Sequence, residues 1–369
     1  MPPVVTVVHA RAPIRICDTG GWTDTWFARR GRVFSIAVSP GVEVRVVARE
    51  PREDESPGIV VDVDAYGDRY TVPARPAPWG PHPLLEAAIA SVALPRHLQI
   101  EARVRSGIPP GAGTGTSAAV TVALLGALDR LAGVVRTPRE IAMAAYRVET
   151  DWLGRQSGVQ DQLGSAHGGI NDIEITAFPA AAVTRLIFSA DLRAELERRL
   201  VLVYLGRSHD SSTLHETVIR GLEDAGPHHP VLEALRSAAV RSRDALQAGD
   251  FASFGAAMAD NTEAQARLHP DLVGPRARRV IALARAHGVP GCKVNGAGGD
   301  AGSITLLCGG ADAQKAAIVG AVAAEDAGFR NIPIALDDAG LQVSASDGAT
   351  EDHPEGGTPW HETSSASEC

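Results

Sequence analysis

Lysine is nearly absent. Of 35 basic residues only Lys293 and Lys315 are lysine, and the rest are arginine. Alongside so much alanine, glycine and valine this reads as a bias in codon usage. It draws attention to Lys293, which opens a glycine-rich stretch. Basic charge as a whole is also in deficit: 44 acidic residues leave a net charge of −9. That excludes a nucleic-acid surface as the main business, because phosphate backbones select basic faces. Cysteine is scarce. Cys17, Cys292, Cys308 and Cys369 form no CxxC pair and no metal-type spacing, so they read as reduced thiols of a cytoplasmic protein. Long apolar runs are missing too. The best candidate, Ala118 to Val135, is broken by Asp129 and Arg130 and does not read as a bilayer span. The opening "MPPVVTVVHARAP" has no basic segment leading into an apolar core, so no secretory signal is expected. There is no internal repeat. There is also no GKS or GKT, so the chain has no Walker A loop.

What is present suits an ordinary globular protein: 44% hydrophobic and 21% charged residues over 369 positions, enough for two domains or one with a large extension. "VVTVVHARAPIRI", "GVEVRVVARE" and "LQIEARVRS" read as strands, and "GIVVDVDAYGDRYTVPA" as a hairpin with a Gly-Asp turn. Helices are predicted over 117–133 and 138–156. The second has a full start signal, with Thr137 as N-cap, Pro138 at the first position and Glu140 completing a capping box. "GGINDIEIT" and "RRLVLVYLG" are further strands. From about residue 210 helical patterns dominate, at 211–225, 229–248, 250–267 and 273–287. Then come the strand "GSITLLC", a helix over 311–327 and the strand "NIPIAL". The plan is an α+β arrangement, divided into residues 1–190, residues 191–345 and an acidic tail, 346–369, too poor in apolar residues to order itself.

Three glycine-rich stretches carry the chemistry. In "GIPPGAGTGTSAAV" the glycines 111, 113 and 115 alternate with small residues just ahead of a helix. Such a backbone can curl its N–H groups into an anion-binding nest, and the helix adds its own free N–H groups and the positive end of its dipole. Thr116 and Ser117 offer hydroxyls to phosphate or Mg²⁺. Taken alone, the loop reads equally as a tight turn with a Ser/Thr cap. In "APIRICDTGGWTDT", Asp24 follows a Gly-Gly turn, where a carboxylate can accept from two neighbouring hydroxyls and Trp22 can face a sugar ring. A plain surface turn is the competing reading. In "KVNGAGGDAGSITLLC" four glycines, 296 to 302, precede a strand, either for close approach of a ligand or as a flexible loop. Between them, "YRVETDWLGRQSGVQDQLGSAHGG" supplies Glu149 and Asp161. Two such acids near a nucleotide can hold Mg²⁺ and orient a hydroxyl, or can simply be solvated.

The set taken together resembles the GHMP kinases, over roughly residues 8–310. "GGWTDT" is most similar to L-fucokinase, "YRVETDWLG…GVQDQ…GG" to the D-glycero-D-manno-heptose 7-phosphate kinases, and "PPGAGTGTSAA" to mevalonate kinase as well. The resemblance implies a two-domain fold, with an N-terminal ribosomal S5 domain 2-like unit and a C-terminal ferredoxin-like one. It implies ATP and Mg²⁺ as cofactors and a sugar or sugar phosphate as acceptor, phosphorylated at the anomeric hydroxyl. Pro110, Gly111, Ala112, Gly113, Thr114, Gly115, Thr116 and Ser117 would wrap the phosphates, and Gly296, Gly298 and Gly299 would close over them. Ser117 and Glu149 would hold Mg²⁺. Asp161 would be the catalytic carboxylate, with Arg15 beside it favouring its ionised form, and Gly21, Trp22, Thr23 and Asp24 would hold the acceptor. The departures are Thr114 and Thr116 in the first loop, Asp300 in place of a further glycine, Asp18 at an apolar position, and the segment after Asp24. Arg29, Arg30 and Arg32 follow Asp24 and read as a solvated turn or as an oxyanion contact. Two other functions stay open: a kinase for a non-sugar alcohol such as mevalonate or homoserine, and a non-catalytic sugar and ATP sensor.

Overall fold

The computed structural model describes residues 5–73, 78–206 and 212–348. In chain order the elements are β1 (Val5–Thr19), β2 (Gly31–Arg49), β3 (Gly58–Val63), β4 (Asp68–Val72), α1 (Pro83–Ala90), β5 (Gln99–Ser106), α2 (Thr116–Ala132), α3 (Pro138–Arg147), α4 (Gln160–His167), β6 (Ile170–Ala177), β7 (Ala180–Leu186), α5 (Ala190–Arg199), β8 (Leu200–Tyr204), α6 (Ser212–Ala225), α7 (Pro230–Gln247), α8 (Phe251–Leu268), α9 (Pro275–Ala286), β9 (Gly291–Val294), β10 (Ser303–Leu307), α10 (Asp312–Glu325), β11 (Arg330–Ile332), β12 (Ala335–Leu336) and β13 (Gln342–Gly348).

They make two sheets. The larger has nine strands. Its main path runs β13-β1-β2-β5-β3-β4, with β12 and β6 also on β2 and β7 on β6. The smaller is antiparallel, in the order β11-β8-β10-β9. Strands 8, 9, 10 and 11 thus stand fourth-first-third-second in a β-α-β-β-α-β chain, the ferredoxin-like plan that the sequence reading expects.

The larger sheet is built on the long β1–β2 hairpin. The β-branched residues seen in sequence alternate along it, and the face formed by Val8, Ala10, Ala12, Ile14 and Ile16 is fully covered. α2 packs against that face with a side that is apolar almost throughout. The far end of the hairpin reaches into the second half of the chain, where Phe34 meets Phe254 of α8 edge to face at 5.6 Å. Thr19 donates to Ser242 at 2.9 Å, and the Gly20 N–H to Asn261 at 2.7 Å. Buried polar side chains aimed at backbone groups fix the two halves in one orientation.

Two boundaries differ from the sequence reading. The helix predicted over 138–156 keeps its capping box, but α-geometry ends at Arg147 and a single π-helical turn covers Val148–Trp152. Strand pairing crosses the division drawn at 190 and 345. β12 joins β2, and β13 joins β1 through seven residue pairs from Val5↔Gly348 to Arg11↔Gln342. The segment after β11 therefore returns to the first sheet, and 346–348, assigned to the acidic tail, end an edge strand. β13 is too polar to show a strand pattern, because its ladder partner supplies the order. The rest of the tail, 349–369, lies outside the described residues.

Candidate active site

A cleft of about 1140 Å³ opens between the two halves, lined by residues of all three glycine-rich stretches together with Glu149 and Asp161. Its floor is the loop 111–115. Gly113 and Gly115 take φ of +71° and +70°, values that only glycine adopts without strain. The fit is tight as well. A Cβ on Gly115 would lie 3.2 Å from Asp161 Cγ, and one on Gly113 would lie 3.0 Å from the Asn295 carbonyl. Gly115 is also the N-cap of α2, and no side chain caps it. The first-turn N–H groups of α2 are thereby left for a ligand at the positive end of the helix.

Asp161 stands on the first turn of α4 beside this loop. Arg15 Nε donates to its Oδ1 at 2.8 Å. The same guanidinium donates to the Gly113 carbonyl, and the Arg15 N–H to the Thr114 carbonyl at 3.0 Å. Arg15 is buried. Burial opposes its charge, but the carboxylates of Asp161, Asp18 and Asp24 outweigh burial and raise its pKa above the usual arginine range. Glu149 sits on the π-helical turn, held by Gln162 Nε2 at 2.8 Å. Burial pushes its carboxyl upward, against the Gln162 hydrogen bond. Asp24 is buried. Its Oδ2 accepts from the Gln160 N–H at 3.0 Å, and burial is the main cause that pushes its carboxyl up to about 6. Gly158 makes room for it, since a Cβ there would lie 2.2 Å from Oδ2.

The cleft does not take in every residue singled out in sequence. Of the first loop, Gly111, Ala112, Gly113, Gly115, Thr116 and Ser117 line it, whereas Pro110 and Thr114 do not. Thr114 is fully buried, and its hydroxyl meets that of Thr116 at 3.1 Å. Trp22 and Asp24 line the cleft, but Gly21 and Thr23 do not. The Thr23 hydroxyl donates to the Gly20 carbonyl at 2.7 Å and accepts from the Arg32 N–H at 3.1 Å, so it holds the turn together. Gly296 and Gly298 line it, and Gly299 does not. The Gly299 N–H donates to the Leu272 carbonyl at 2.9 Å, and a Cβ on Gly298 would lie 2.0 Å from that same carbonyl. Packing against Leu272 demands glycine at 298, and a φ of +112° favours it at 299. Arg29, Arg30 and Arg32 stay outside, and Arg32 is engaged by Asp172 and Glu174.

Two departures now have reasons. Asp300 accepts from the Arg276 N–H at 3.2 Å, capping α9 instead of facing phosphate. Asp18 pairs with Lys293. Gln162, Gly158, Asn295 and the cleft-lining Arg155 and Arg220 were not singled out in sequence. Their types are ordinary, and only "GVQDQ" hinted at a shared turn.

The donor set can be tested against the groups the resemblance implies. Ser117 and Glu149 present oxygen only, which suits a hard cation such as Mg²⁺. Among the described residues, no three or more His, Cys, Asp or Glu side chains are grouped as a metal site. Mg²⁺ that keeps waters and phosphate oxygens needs only one or two carboxylates. The αL glycines and the uncapped helix start fit a polyphosphate. Among the described residues, no helix is long and apolar enough to cross a membrane.

Comparison with known proteins agrees with this fold. Residues 84–169, which hold the first glycine loop, Glu149 and Asp161, match the model of the GHMP kinases N terminal domain. Over those residues the chain is similar to the GHMP kinases. It is 25% identical over 375 residues to an L-fucokinase/L-fucose-1-P guanylyltransferase of Bacteroides fragilis, covering 92% of this chain and 39% of that protein. It is also 25% identical over 193 residues to a D-glycero-alpha-D-manno-heptose 7-phosphate kinase of Campylobacter jejuni, covering 52% and 57%. The chain therefore spans less than two thirds of either relative. Among solved structures, a D-glycero-D-manno-heptose 1-phosphate kinase from Bacteroides thetaiotaomicron shares the fold with a TM-score of 0.70 at 20% identity, over 91% of this chain and 98% of that one.

Proposed function

We propose that this chain is an ATP-dependent sugar kinase, transferring the terminal phosphate of Mg·ATP to a hydroxyl of a sugar or sugar phosphate. The observation that carries the reading is the Arg15–Asp161 pair, held at 2.8 Å directly against an αL glycine loop at a helix N-terminus. Asp161 takes the proton as the acceptor oxygen bonds to phosphorus and the bond to ADP breaks. Arg15 keeps that carboxylate oriented. The loop 111–117 would bind phosphate oxygens through backbone N–H groups, and Ser117 and Glu149 would hold Mg²⁺, which when bound would supply neutralisation of developing charge. Asp24 accepts from acceptor hydroxyls, beside the apolar wall of Trp22 and Phe27. One named relative couples its fucokinase activity to a guanylyltransferase acting on the sugar 1-phosphate, which supports the anomeric hydroxyl as the site of transfer. A phosphate already on the acceptor would meet Arg155 and Arg220, the two further arginines of the cleft. The setting is cytoplasmic, consistent with Cys17, Cys292 and Cys308 as buried free thiols.

The test is ADP release from Mg·ATP across a panel of free sugars, uronic acids, hexose and heptose phosphates, mevalonate and homoserine. Turnover on a sugar, with a loss on the order of 10²–10⁴-fold in Asp161→Asn and ATP binding retained, is the expected result. Near-normal turnover in that variant would remove Asp161 from its role. ATP binding with silence across the panel would turn the reading to a sensor.

A further inference from the structure

Asp18 and Lys293 are both buried, with side chains 0% and 1% exposed. They stand on different sheets, at the end of β1 and on β9. Lys293 Nζ donates to Asp18 Oδ1 at 3.2 Å and also reaches the Gln265 side-chain oxygen at 3.4 Å and the Val294 carbonyl. Asp18 is shared three ways. Its oxygens accept from the Gly296 N–H at 3.0 and 3.2 Å, and Oδ2 lies 3.9 Å from Arg15 Nη2. Gly296 in turn abuts the first loop, where a Cβ on it would lie 2.6 Å from the Gly113 carbonyl. The charges therefore run as one line, from the partly exposed Asp161 through the buried Arg15, Asp18 and Lys293, and the line passes an N–H of the third glycine loop.

Such a pair is weak evidence for stability, because desolvating two charges offsets most of their attraction. Its geometry has a more specific use. An Asp18 without Lys293 would be a buried carboxylate whose nearest cation is Arg15, and it would compete with Asp161 for that guanidinium. With Lys293 in place the competition is met, and Asp18 is free to hold the loop.

We infer that Asp18 and Lys293 are positioning residues for phosphoryl transfer. Lys293 takes up the charge of Asp18 so that Arg15 stays on Asp161, and Asp18 fixes the loop 295–302 over the first glycine loop through the Gly296 N–H. This rests on the kinase reading above. It accounts for an acid at a position where the family resemblance expects an apolar residue.

Three variants of the full chain separate the two roles, each assayed well below its own melting temperature. Lys293→Met leaves Asp18 to draw on Arg15, and kcat falls by up to about 100-fold, the cost of a misplacement near 1 Å, with Mg·ATP affinity nearly unchanged. Asp18→Asn with Lys293→Met removes the pull but keeps an oxygen for Gly296, and kcat returns to near the parent value. Asp18→Ala with Lys293→Met releases the loop. Mg·ATP, titrated without acceptor, then binds at least about tenfold more weakly, roughly 1.4 kcal/mol, while kcat at saturation holds. If all three keep the parent's kcat and Mg·ATP affinity and differ only in melting temperature, the pair is structural and the inference falls alone. If the parent itself neither binds Mg·ATP nor turns over any acceptor, the kinase reading falls and takes this one with it.

Discussion

At the scale of the residue, Asp24 shows how a site can hold a group against its own stability. The carboxyl is buried and its pKa is pushed up to about 6, chiefly by that burial. A folded-state pKa above the unfolded value means that the folded protein prefers the proton. The stability this gives is complete below about pH 4 and is lost as the pH rises through 6. A shift from 3.8 to about 6 corresponds to roughly 3 kcal/mol withheld at neutral pH. Asp24→Asn, whose amide oxygen can still accept from Gln160, is therefore expected to match the parent near pH 4 and to melt higher at pH 8. Thermal unfolding at the two values checks this, and an equal offset at both would show that the carboxyl is not held against ionisation. In the parent, the Michaelis constant for the acceptor should rise below about pH 6, where the protonated carboxyl loses acceptor capacity. Residue type and order singled out Asp161, Arg15, Asp24, Ser117 and Glu149, each in a motif whose spacing resembles a family's, and the structure brings all five to one cleft. Thr23 and Thr114 lie outside the cleft lining, since a hydroxyl in a glycine-rich turn serves ligand or turn equally well. The pairing of Asp18 with Lys293, 275 residues away, leaves no local trace.

At the scale of the element, the loop into α2 gives up its own cap. α3 shows the alternative. There Thr137 and Glu140 cap each other's backbone N–H groups, which a ligand could otherwise take. Thr137→Ala should cost about 1 kcal/mol, seen as a lower melting temperature, and leave turnover unchanged. Gly115→Ala should do the reverse in emphasis. It strains a residue at φ +70° and presses on Asp161, so the stability loss of about 1–3 kcal/mol should come with a larger proportional loss of kcat. An alanine variant with full turnover would show that the loop has slack. Helix starts were legible because caps are local. The π-helical turn after Arg147 was not legible, because "VETDW" carries no breaker. The turn is braced from outside instead, by the Gln162 hydrogen bond to Glu149 and by the Arg155 N–H on the Glu149 carbonyl at 2.9 Å.

At the scale of the molecule, the cleft depends on a sheet completed by the far end of the chain. β13 covers the outer edge of β1, and the residues leading into it press on α2, where Leu341 and Val343 lie against Gly126. Cutting the chain after residue 334 would remove β12 and β13. It would bare the ladder edge of β1, the strand that carries Arg15, and uncover one side of the helix that aims at phosphate. Loss of cooperative unfolding, or aggregation through the open edge, is expected in circular dichroism and light scattering. A truncated chain with the parent's melting temperature would show the two strands to be ornamental. The α+β arrangement was legible from alternation and the helix-rich second half, and the two-domain fold only through the family resemblance. The return of β12 and β13 was not, because pairing across the whole chain is set by a partner's free edge and not by the segment's own pattern.

The same feature bears on how the protein is made. A ribosome makes β1 well before β13, so β1 waits for its outer neighbour until that strand has been translated. Throughout that interval the strand bearing Arg15 offers an unpaired edge to the cell. The first half can collapse early, but it finishes folding last, and chaperone demand should fall on the interval between the two ends.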